Sequence, residues 1–306
     1  MSKYLVTGGA GFIGSALAHC LIENGNIVTI IDNLSTGFKE NIPDNAIFIE
    51  GDCQDYKIYE SLDEKFDAIY HIAGQSSGEI SFDDPVYDLQ TNTQSTLLLL
   101  NYAVKTGCKR FLYASSMSVY GDHPDIPISE DKSCDPKSFY GVGKIASEHY
   151  LRIYKEFGVQ STALRLFNVY GPGQNMENMR QGMVSIFLAM AINDKTIDVK
   201  GNTKRFRDFI YIDDVVDAFV ECENNSNTFN NVYNVATGVK TTVESLLIKL
   251  TKLFDYDISI AIKRNTPGDQ FGIYADINSI KKDIDWEPKY SIDVGLKKMI
   301  EFVVKN

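Results

Sequence analysis

The chain begins with a glycine-rich turn between a short apolar run and an amphipathic stretch. Residues 3–9 are predicted to form a buried strand that runs into Gly8-Gly9-Ala10-Gly11-Phe12-Ile13-Gly14. Apolar residues then recur at helical spacing, at Ile13, Leu17, Cys20 and Leu21. Strand, turn and helix in this order are typical of a dinucleotide-binding unit, because glycines let a pyrophosphate approach the backbone and the helix N-terminus offers it unpaired N–H groups. The alternative is an ordinary strand-helix-strand unit with glycine at the helix start.

An acidic residue ends the next predicted strand. Ile27-Val28-Thr29-Ile30-Ile31 is followed by Asp32, about where a carboxylate should accept hydrogen bonds from the adenosine ribose hydroxyls of a bound dinucleotide. A carboxylate at that position would repel the 2′-phosphate of NADP, and no Arg stands beside it. The sequence therefore predicts NAD as the cofactor.

Strands and helices continue to alternate through the first half of the chain. Further strands are predicted at 46–51, 67–73, 110–114 and 161–166, with a short helix after Asp55, a long helix from about Pro85 to Gly107 and a third that carries Tyr140. This alternation predicts an α/β fold with a doubly wound parallel sheet (Rossmann), whose ligand crevice lies at the carboxyl ends of the strands, where Asp52, Gly74 and Ser116 fall.

A turn-rich break at 167–173 suggests a domain boundary. We expect an NAD-binding Rossmann domain of residues 1–167 and a smaller C-terminal α/β domain of residues 168–306 that mainly binds substrate. It stays open whether part of the second domain returns to the sheet of the first.

Tyr140 and Lys144 are candidates for a catalytic pair. Residues four apart share one face of a helix, so the phenol and the ammonium group would point the same way. An unperturbed Tyr has a pKa of about 10, and a shift of about 3 units, worth about 4 kcal/mol, would let it accept a proton near neutrality. A nearby Lys cation and an oxidised nicotinamide ring are the kinds of charge that lower a phenol pKa. The alternative is a chance pair, since Tyr and Lys four apart occur in many helices.

Charge and cysteine content restrict the classes of partner. The 306 residues carry a formal net charge of −11 at pH 7, which argues against nucleic acid or an anionic membrane. No signal sequence or apolar membrane span is present, so we expect a cytoplasmic protein. The five cysteines are scattered and lack CxxC spacing, which favours reduced thiols over a disulfide framework or a metal site. A phosphorylated substrate would need local positive charge, for which Lys204-Arg205-Phe206-Arg207-Asp208 is a candidate, although such clusters are usually solvated.

Four motifs link the two halves of the chain. They are Thr7-Gly8-x-x-Gly11-x-x-Gly14, Ser116 with Tyr140-x-x-x-Lys144, Leu166-Phe167-Asn168-x-Tyr170-Gly171, and Arg207-Asp208-Phe209. Together they resemble the extended short-chain dehydrogenase/reductase family, and within it the UDP-glucose/UDP-galactose 4-epimerases. The resemblance runs from Lys3 to the terminal helix. It implies an NAD-dependent enzyme that binds a nucleotide-diphosphate sugar and forms a homodimer through the helices predicted at about 85–106 and 140–157.

The residues after Ser116 indicate which reaction of this family to expect. The related 4,6-dehydratases are expected to carry an Asp-Glu pair where this chain has Met117 and Ser118, and UDP-glucuronate decarboxylases a Glu in place of Ser118. Met and Ser cannot transfer the additional proton that water elimination requires. The resemblance therefore implies a 4-epimerase, in which Tyr140 removes the C4 hydroxyl proton, Ser116 relays it, and hydride passes to NAD and back to the other face of a 4-keto sugar.

The resemblance also implies which residues contact each ligand. The catalytic residues are Ser116, Tyr140 and Lys144. The cofactor-binding residues are Gly8, Gly11, Phe12, Ile13, Gly14, Asp32, Asn33, Ser35, Thr36, Gly37, Asp52, Cys53, Ala73, Gly74, Asn92, Ser115, Tyr140, Lys144 and Phe167. The substrate-binding residues are Ser116, Asn168, Arg207, Asp269 and Ile273. Among these, Asn168 and Arg207 would hold the diphosphate and Ile273 would set the room at sugar C2, and no metal is implied.

Two departures from the family pattern leave the substrate open. Thr266 stands two residues before Gly268-Asp269, where an Arg is common, and Ser76 stands where many UDP-galactose 4-epimerases have Lys. Glucose/galactose, their N-acetyl forms and uronates all stay candidates. The competing functions are a nucleotide-sugar reductase, a C2-epimerase or an enzyme of a differently activated sugar, and, from another class, a non-catalytic NAD sensor, which the complete Tyr-Lys pair disfavours.

Overall fold

The computed structural model describes residues 1–62, 64–123, 126–264 and 271–305. The strands are β1 (Lys3–Thr7), β2 (Ile27–Asp32), β3 (Ile47–Glu50), β4 (Ala68–His71), β5 (Arg110–Ser116), β6 (Gln160–Leu166), β7 (Asn168–Tyr170), β8 (Thr196–Lys200), β9 (Phe206–Arg207), β10 (Phe209–Tyr211), β11 (Asn231–Val235), β12 (Thr241–Thr242) and β13 (Ser259–Lys263). The α-helices are α1 (Phe12–Glu23), α2 (Tyr56–Ser61), α3 (Pro85–Leu89), α4 (Ser95–Thr106), α5 (Phe139–Tyr154), α6 (Met183–Asn193), α7 (Ile212–Asn224), α8 (Val243–Thr251), α9 (Asn278–Ile284) and α10 (Ile292–Lys305).

The main sheet has seven parallel strands in the order β11-β6-β5-β4-β1-β2-β3. After β1 the chain adds β2 and β3 on one side, and it then crosses over to add β4 on the other side. The connections therefore diverge between β1 and β4, and an open α/β sheet binds its ligands beyond the carboxyl ends of the strands at such a point. The predicted doubly wound parallel sheet is confirmed.

Apolar side chains alternate between the two faces of this sheet. Leu5 and Phe111 belong to one buried cluster, whereas their neighbours Val6 and Leu112 belong to another. Successive side chains of a strand point to opposite faces, so each cluster covers one face. Burial on both faces is the normal setting of a parallel sheet and explains why every residue of β5 is buried.

One strand from the C-terminal part of the chain joins the main sheet. Strand β11 pairs with β6, with Val235 opposite Leu166. Beyond residue 167 the structure also contains three two-stranded sheets, in which β7 pairs with β10, β8 with β13, and β9 with β12. The division of the chain at residue 168 stays a prediction, and β11 is a part that returns to the first sheet.

Helix α5 has a buried face that is largely polar. The apolar side chains of Ile153 and Phe157 recur at helical spacing along α5 and just beyond it, and they are 52% and 62% exposed. The buried face carries Tyr140, Lys144 and Glu148 instead. Helix α5 therefore packs these polar side chains against the sheet and leaves part of its apolar stripe uncovered in the single chain.

The predicted long helix from Pro85 to Gly107 consists of α3, a π-helical turn at Gln90–Gln94, and α4. Such turns interrupt the regular helical hydrogen bonding and frequently occur at functional sites. Strand β5 extends to Ser116, two residues further than predicted. Within the described ranges, no helix combines the length and the apolar composition needed to cross a bilayer. All five cysteines are unpaired.

Candidate active site

The glycine turn after β1 lies directly against the loop after β4. Gly8 has a φ of +72°, and a Cβ at that position would be 2.7 Å from the Ala73 backbone nitrogen. A side chain at Gly14 would collide with the Gly8 carbonyl. Helix α1 starts beyond Gly11 with no side-chain cap and no acidic residue in its first turn, so its N-terminal N–H groups can receive an anion.

Asp32 is held beside this turn by main-chain hydrogen bonds. Its Oδ2 accepts from the Ala10 backbone N–H at 2.9 Å and its Oδ1 from the Leu34 backbone N–H at 2.8 Å. A further carboxylate, Asp52, accepts a hydrogen bond from the Asn33 side chain at 2.8 Å. The local folding of these loops thus presents oxygen acceptors beside the glycine turn, where a ribose would need them.

These elements enclose a cavity of about 400 Å³. The predicted cofactor-binding residues that line it are Gly8, Gly11, Phe12, Ile13, Gly14, Asp32, Asn33, Ser35, Thr36, Asp52, Cys53, Ala73 and Gly74. Sequence reasoning missed part of the wall, including Gln75, Ser76, Thr91 and the 173–181 segment. That segment follows a predicted turn and carries no pattern that would place it across the cavity.

Asn92 provides a test of whether a cofactor fits. The residue is buried in the π-helical turn, and its side-chain nitrogen donates to the Gln75 carbonyl at 3.0 Å. Its Oδ1 has no hydrogen-bond partner in the described part of the chain. A Cβ on Gly74, which lines the cavity, would collide with this oxygen, so glycine at position 74 leaves room for it. A buried oxygen without a hydrogen-bond partner, beside a wall formed by glycine, is compatible with a bound group that donates a hydrogen bond, and NAD can do so.

Six predicted cofactor contacts do not line this cavity, namely Gly37, Asn92, Ser115, Tyr140, Lys144 and Phe167. Ser115 is buried and donates its hydroxyl to Glu148 Oε1 at 2.5 Å, so it supports α5 from behind. Phe167 lies in the hydrophobic core. A Cβ at Gly37 would be 2.6 Å from the Ala10 carbonyl carbon, so Gly37 packs against the outside of the glycine turn. A direct contact of Ser115, Phe167 and Gly37 with the cofactor stays a prediction.

Ser116 and Tyr140 are brought together by the docking of α5 onto the turn after β5. Ser116 ends β5, and its Oγ accepts from the Ser118 N–H at 3.2 Å. Helix α5 is capped by Ser138, which accepts from the Gly141 N–H at 3.1 Å. A side chain at Gly141 would collide with the Ser118 carbonyl, so glycine at this position lets the start of the helix approach the turn. Tyr140 is the second residue of the helix, and its phenol interacts with Ser116.

Lys144 lies one turn further along the same buried face. Its Nζ donates to the Ala114 carbonyl at 2.9 Å and lies 5.6 Å from the centre of the Tyr140 ring. Burial lowers the pKa of Lys144 to about 8, although the carboxylates Asp88 and Glu148 oppose this shift. Tyr140 and Lys144 therefore share one face, as the spacing predicts.

The pKa of Tyr140 differs from the prediction. Burial raises it to about 12, the Ser116 hydroxyl acts in the lowering direction, and the charge of Asp88 acts in the raising direction. We expected Lys144 and the nicotinamide to lower this pKa. In the protein groups alone, desolvation of the phenolate outweighs the stabilisation available from the neighbouring residues.

A second cavity, of about 320 Å³, adjoins the first. Ser76 and Gln181 line both cavities, and the Gln181 side-chain nitrogen donates to Ser76 Oγ at 2.6 Å. Met117, Ser118 and Ser138, the neighbours of Ser116 and Tyr140 in the chain, line the second cavity. Ser116, Tyr140 and Lys144 themselves are buried and line neither cavity, so they lie behind the wall that their chain neighbours form.

The second cavity concentrates positive charge in an acidic chain. Its basic residues are Lys137, Arg180, Lys200, Arg205 and Arg207, and its acidic residues are Glu79 and Asp198. Burial lowers the pKa of Arg207 to about 10, and its Nη1 donates to the Phe206 carbonyl at 2.7 Å. The cavity meets the expectation that a phosphorylated ligand needs a local basic site.

The predicted substrate-binding residues have different positions. Asn168 and Arg207 line the second cavity. Ile273 is fully buried in the hydrophobic core and lines neither cavity, so the geometry does not place it at the sugar. Asp269 lies outside the described residues, as do Thr266 and Gly268.

Comparison with known proteins agrees with this geometry. The sequence profile of the NAD dependent epimerase/dehydratase family matches residues 4–236. UDP-glucose 4-epimerase of Mycolicibacterium smegmatis is 33% identical over 308 residues, covering 98% of each chain. The solved structure of UDP-glucose 4-epimerase with UDP-glucose from Thermotoga maritima has a TM-score of 0.95 and 36% identity, covering 99% of each chain.

A third relative has a different substrate in its name. The structure of UDP-N-acetylglucosamine 4-epimerase from Methanobrevibacter ruminantium, in complex with UDP-N-acetylmuramic acid, has a TM-score of 0.93 and 30% identity, covering 99% of this chain and 98% of that one. Since the family profile spans most of the chain and these relatives match it over nearly its whole length, the protein belongs to the NAD-dependent epimerase/dehydratase family, and its cofactor is NAD.

Proposed function

We propose that the protein is a nucleotide-sugar 4-epimerase of the UDP-glucose/UDP-galactose type. The observation that carries this proposal is the buried cluster of Ser116, Tyr140 and Lys144, whose chain neighbours Met117, Ser118 and Ser138 line the second cavity. Met and Ser supply no further carboxylic acid or carboxylate. The cluster can therefore move one proton at a sugar hydroxyl, which is what a 4-epimerase needs, without the additional acid-base pair of a dehydratase.

The chain's own residues have separate roles in this reaction. Tyr140 takes the proton of the C4 hydroxyl and returns it, and Ser116 hydrogen-bonds the same oxygen. The ammonium group of Lys144 stabilises the phenolate through the low-dielectric interior. Arg207 and Asn168 hold the diphosphate while the 4-keto sugar turns over. NAD, when bound, supplies the acceptor and donor of the C4 hydrogen, so no net oxidation occurs.

The charge distribution supports a neutral sugar over a uronate. Near the catalytic residues the cavity wall carries the hydroxyls of Ser76, Ser77, Ser118 and Ser138. Two of the cations that line this cavity, Arg180 and Lys137, already have acidic partners. Arg180 binds Asp83 at 2.7 Å and Glu79 at 3.6 Å, and Lys137 binds Asp135 at 2.9 Å. A sugar carboxylate would have to displace one of these partners, whereas hydroxyls can bind without doing so.

The test is incubation of the purified protein with UDP-glucose, UDP-galactose, UDP-N-acetylglucosamine and UDP-glucuronate, without added reductant, followed by NMR of the products. We expect interconversion of UDP-glucose and UDP-galactose with no net change in NADH absorbance at 340 nm. Epimerisation of UDP-glucuronate alone would overturn the neutral-sugar assignment. Net consumption of NADH would identify a reductase, and no product from protein that retains NAD would exclude this substrate set.

We also propose that the protein is a homodimer. Helices α3, α4 and α5 lie side by side and expose apolar side chains in the single chain, namely Val86, Leu89, Val104 and Ile153, with Phe157 just beyond α5. Exposed apolar side chains that lie near one another often mark an interaction surface. Members of the family that this chain resembles commonly dimerise through the helices that correspond to α3–α4 and α5. Light scattering should give a mass of about twice 34.3 kDa. A mass near the single value would contradict the proposal, and Ile153→Glu together with Phe157→Glu should produce monomers.

A further inference from the structure

Asp88 is a buried carboxylate that the proposed catalytic steps do not use. It lies on α3 and is 1% exposed. Its Oδ1 accepts from the Gln75 side-chain nitrogen at 2.8 Å and from the Asn92 side-chain nitrogen at 3.3 Å. In the described part of the chain it forms no ion pair, although a buried carboxylate without a cation is costly. A group of this kind calls for a functional explanation.

Glu148 is a second buried carboxylate in the same region, and a cation in direct contact balances its charge. Arg165 donates to both of its oxygens, from Nε at 2.9 Å and from Nη2 at 2.7 Å, and Ser115 donates at 2.5 Å. The charge of Glu148 is thus balanced by a guanidinium group in direct contact. Among the described residues, the side chain of Asp88 accepts hydrogen bonds from two neutral amides, so its charge acts on more distant groups.

The position of Asp88 connects the cofactor cavity to the catalytic helix. Gln75 lines that cavity, and Asn92 directs its unpartnered Oδ1 at Gly74. On the other side, a Cβ at Gly143 would be 3.7 Å from Asp88 Oδ2, and Gly143 directly precedes Lys144. Asp88 therefore holds two residues of the cofactor wall while its second oxygen faces α5.

Asp88 and Lys144 influence each other electrostatically. Burial is the main influence on both groups, lowering the pKa of Lys144 and raising the pKa of Asp88. The attraction between the two charges opposes both shifts. The groups that act on Lys144 are Tyr140 and Glu148 on α5, Tyr113 on β5, His71 on β4 and Asp88 on α3, with Arg165 on β6 bound to Glu148. Among these, Asp88 is the carboxylate that has no paired cation.

We propose that Asp88 is a positioning residue whose uncompensated charge keeps Lys144 in the ammonium form beside Tyr140 and whose Oδ1 fixes Gln75 and Asn92 at the cofactor wall. The inference rests on the roles proposed above for Tyr140 and Lys144. A Cβ at position 143 would lie 3.2 Å from Thr93 Oγ1, which is a tight contact, and 3.7 Å from Asp88 Oδ2, so glycine lets α5 pack closely on this region.

The geometry allows the charge of Asp88 to be removed while its hydrogen bonds are kept. Both amide donors bind the same oxygen, Oδ1. Asn has an oxygen at that place and an NH₂ group where Oδ2 stands, so Asp88→Asn can preserve both hydrogen bonds. The matched control is Asp84→Asn, which removes one charge from the exposed N-cap of the same helix, where Asp84 accepts from the Tyr87 N–H at 2.9 Å. Asn caps helices about as well as Asp.

The experiment is a pH titration of the full-length protein labelled with [¹³Cε]lysine, followed by NMR. The Lys144 resonance is assigned by its absence from Lys144→Arg. We expect the Lys144 midpoint to fall by roughly one pH unit in Asp88→Asn, the lower end of the effect of a nearby opposite charge, and to stay in place in Asp84→Asn. An unchanged midpoint in a folded Asp88→Asn protein would overturn the proposal.

A reciprocal measurement covers the case in which Asp88→Asn does not fold. In Lys144→Met, the loss of the ammonium group should raise the titration midpoint of Asp88, followed through its ¹³Cγ resonance, because the interaction is mutual. An Asp88 midpoint that does not move would also overturn the proposal.

Activity measurements separate a charge effect from a purely structural one. The charge of Asp88 raises the pKa values of both Tyr140 and Lys144, so its removal should move both limbs of the pH–rate profile towards lower pH. A lower rate with both limbs in their original positions would indicate a structural role and contradict the inference. If the wild-type protein epimerises no sugar, the proposed function fails, whereas the NMR titrations still decide the role of Asp88.

Discussion

The first cavity, proposed to hold the cofactor and called the cofactor cavity, is bounded largely by loops that directly follow β1, β2 and β4. The second cavity, proposed to hold the substrate and called the substrate cavity, is bounded by side chains from segments as distant as residues 76–79 and 205–207. In the first, glycines and main-chain N–H groups define the surface, and Asp32 is fixed by the backbone of its neighbours. In the second, Arg207, Lys200 and Met190 come from different elements of the C-terminal part.

Because of this difference, we expect the two sites to respond differently to mutation. A surface made of main chain depends on loop geometry, which tolerates many side chains but few changes at its glycines. A surface made of side chains can change its ligand by single replacements without a change of fold. The family relationship therefore establishes the cofactor, while the relatives named above differ in the sugar that they carry in their names.

The largest effect on turnover is expected for loss of the Tyr140 hydroxyl. Tyr140→Phe removes the proposed base and leaves both cavities intact, so turnover should fall by roughly 10²–10⁴-fold, while the protein keeps its NAD. Product NMR and the NAD content after purification measure the two quantities. Tyr150→Phe, on the same helix but outside the cluster, is the control and should retain turnover. Undiminished turnover in Tyr140→Phe would show that another residue is the base.

A change confined to the substrate cavity should leave the cofactor cavity unaffected. Arg207→Met removes a charge-assisted contact worth about 1.5–3 kcal/mol, so KM for the nucleotide sugar should rise by roughly 10- to 100-fold. Arg207→Lys keeps the charge but loses the planar fork and should have an intermediate KM. NAD affinity, measured by calorimetry, should equal that of the wild type. A parallel loss of NAD affinity would show that the two cavities are not independent.

The reciprocal change concerns the cofactor cavity alone. In Gly14→Ala the new methyl group meets the Gly8 carbonyl, and the strain of overpacking, about 1–3 kcal/mol, should lower NAD affinity about tenfold. Binding of UDP, which needs only the second cavity, should persist. The adjacent variant Ser15→Ala adds no atoms and should bind NAD normally. Unaltered NAD affinity in Gly14→Ala would contradict the close packing of the turn.

The smallest expected effect is a dependence of kcat/KM on pH that reflects the protonation of Lys144. Lys144 loses its proton as pH rises through its pKa, which burial lowers to about 8. Stabilisation of the Tyr140 phenolate by the ammonium group should then disappear, and kcat/KM should decrease as pH rises through that value. In Lys144→Arg the side chain stays charged to much higher pH. The alkaline limb of the pH–rate profile should therefore be absent, even if the overall rate of this variant is lower. An identical limb in Lys144→Arg would assign it to another group.

Sequence patterns were reliable where function depends on neighbours in the chain. The glycine turn, the carboxylate at the end of β2 and the shared face of Tyr140 and Lys144 all follow from local spacing, because strand and helix periods set which residues are adjacent. The roles predicted for Ser115 and Ile273 gain no such support from the positions of their side chains. Ser115 directly precedes Ser116, yet alternation along the strand sends the two side chains to different surroundings, and Ser115 bonds Glu148.

The apolar stripe of α5 shows another limit of local spacing, which did not decide which side of the helix these residues cover. Ile153 and Phe157 have the spacing of a core face, but they are exposed in the single chain, because the opposite face carries the polar cluster around Lys144. Periodicity identifies an apolar face without identifying what covers it. The prediction that these residues serve a dimer contact, offered as an alternative to burial on the sheet, is the one that the exposed positions support.

The amino-acid order alone was enough to specify the parallel sheet, the NAD turn and the spacing of Tyr140 and Lys144, since each depends on interactions over a few residues or on a repeated alternation. Folding was needed to place Asp88 against Gly143, 55 residues along the chain from it, and to pair Gln181 with Ser76 where the cavities meet. The strength of a buried charge depends on burial and on its partners, which are long-range consequences of packing. This is why the pKa of Tyr140 differs from the one that spacing suggests, and why the electrostatic role of Asp88 becomes visible in three dimensions.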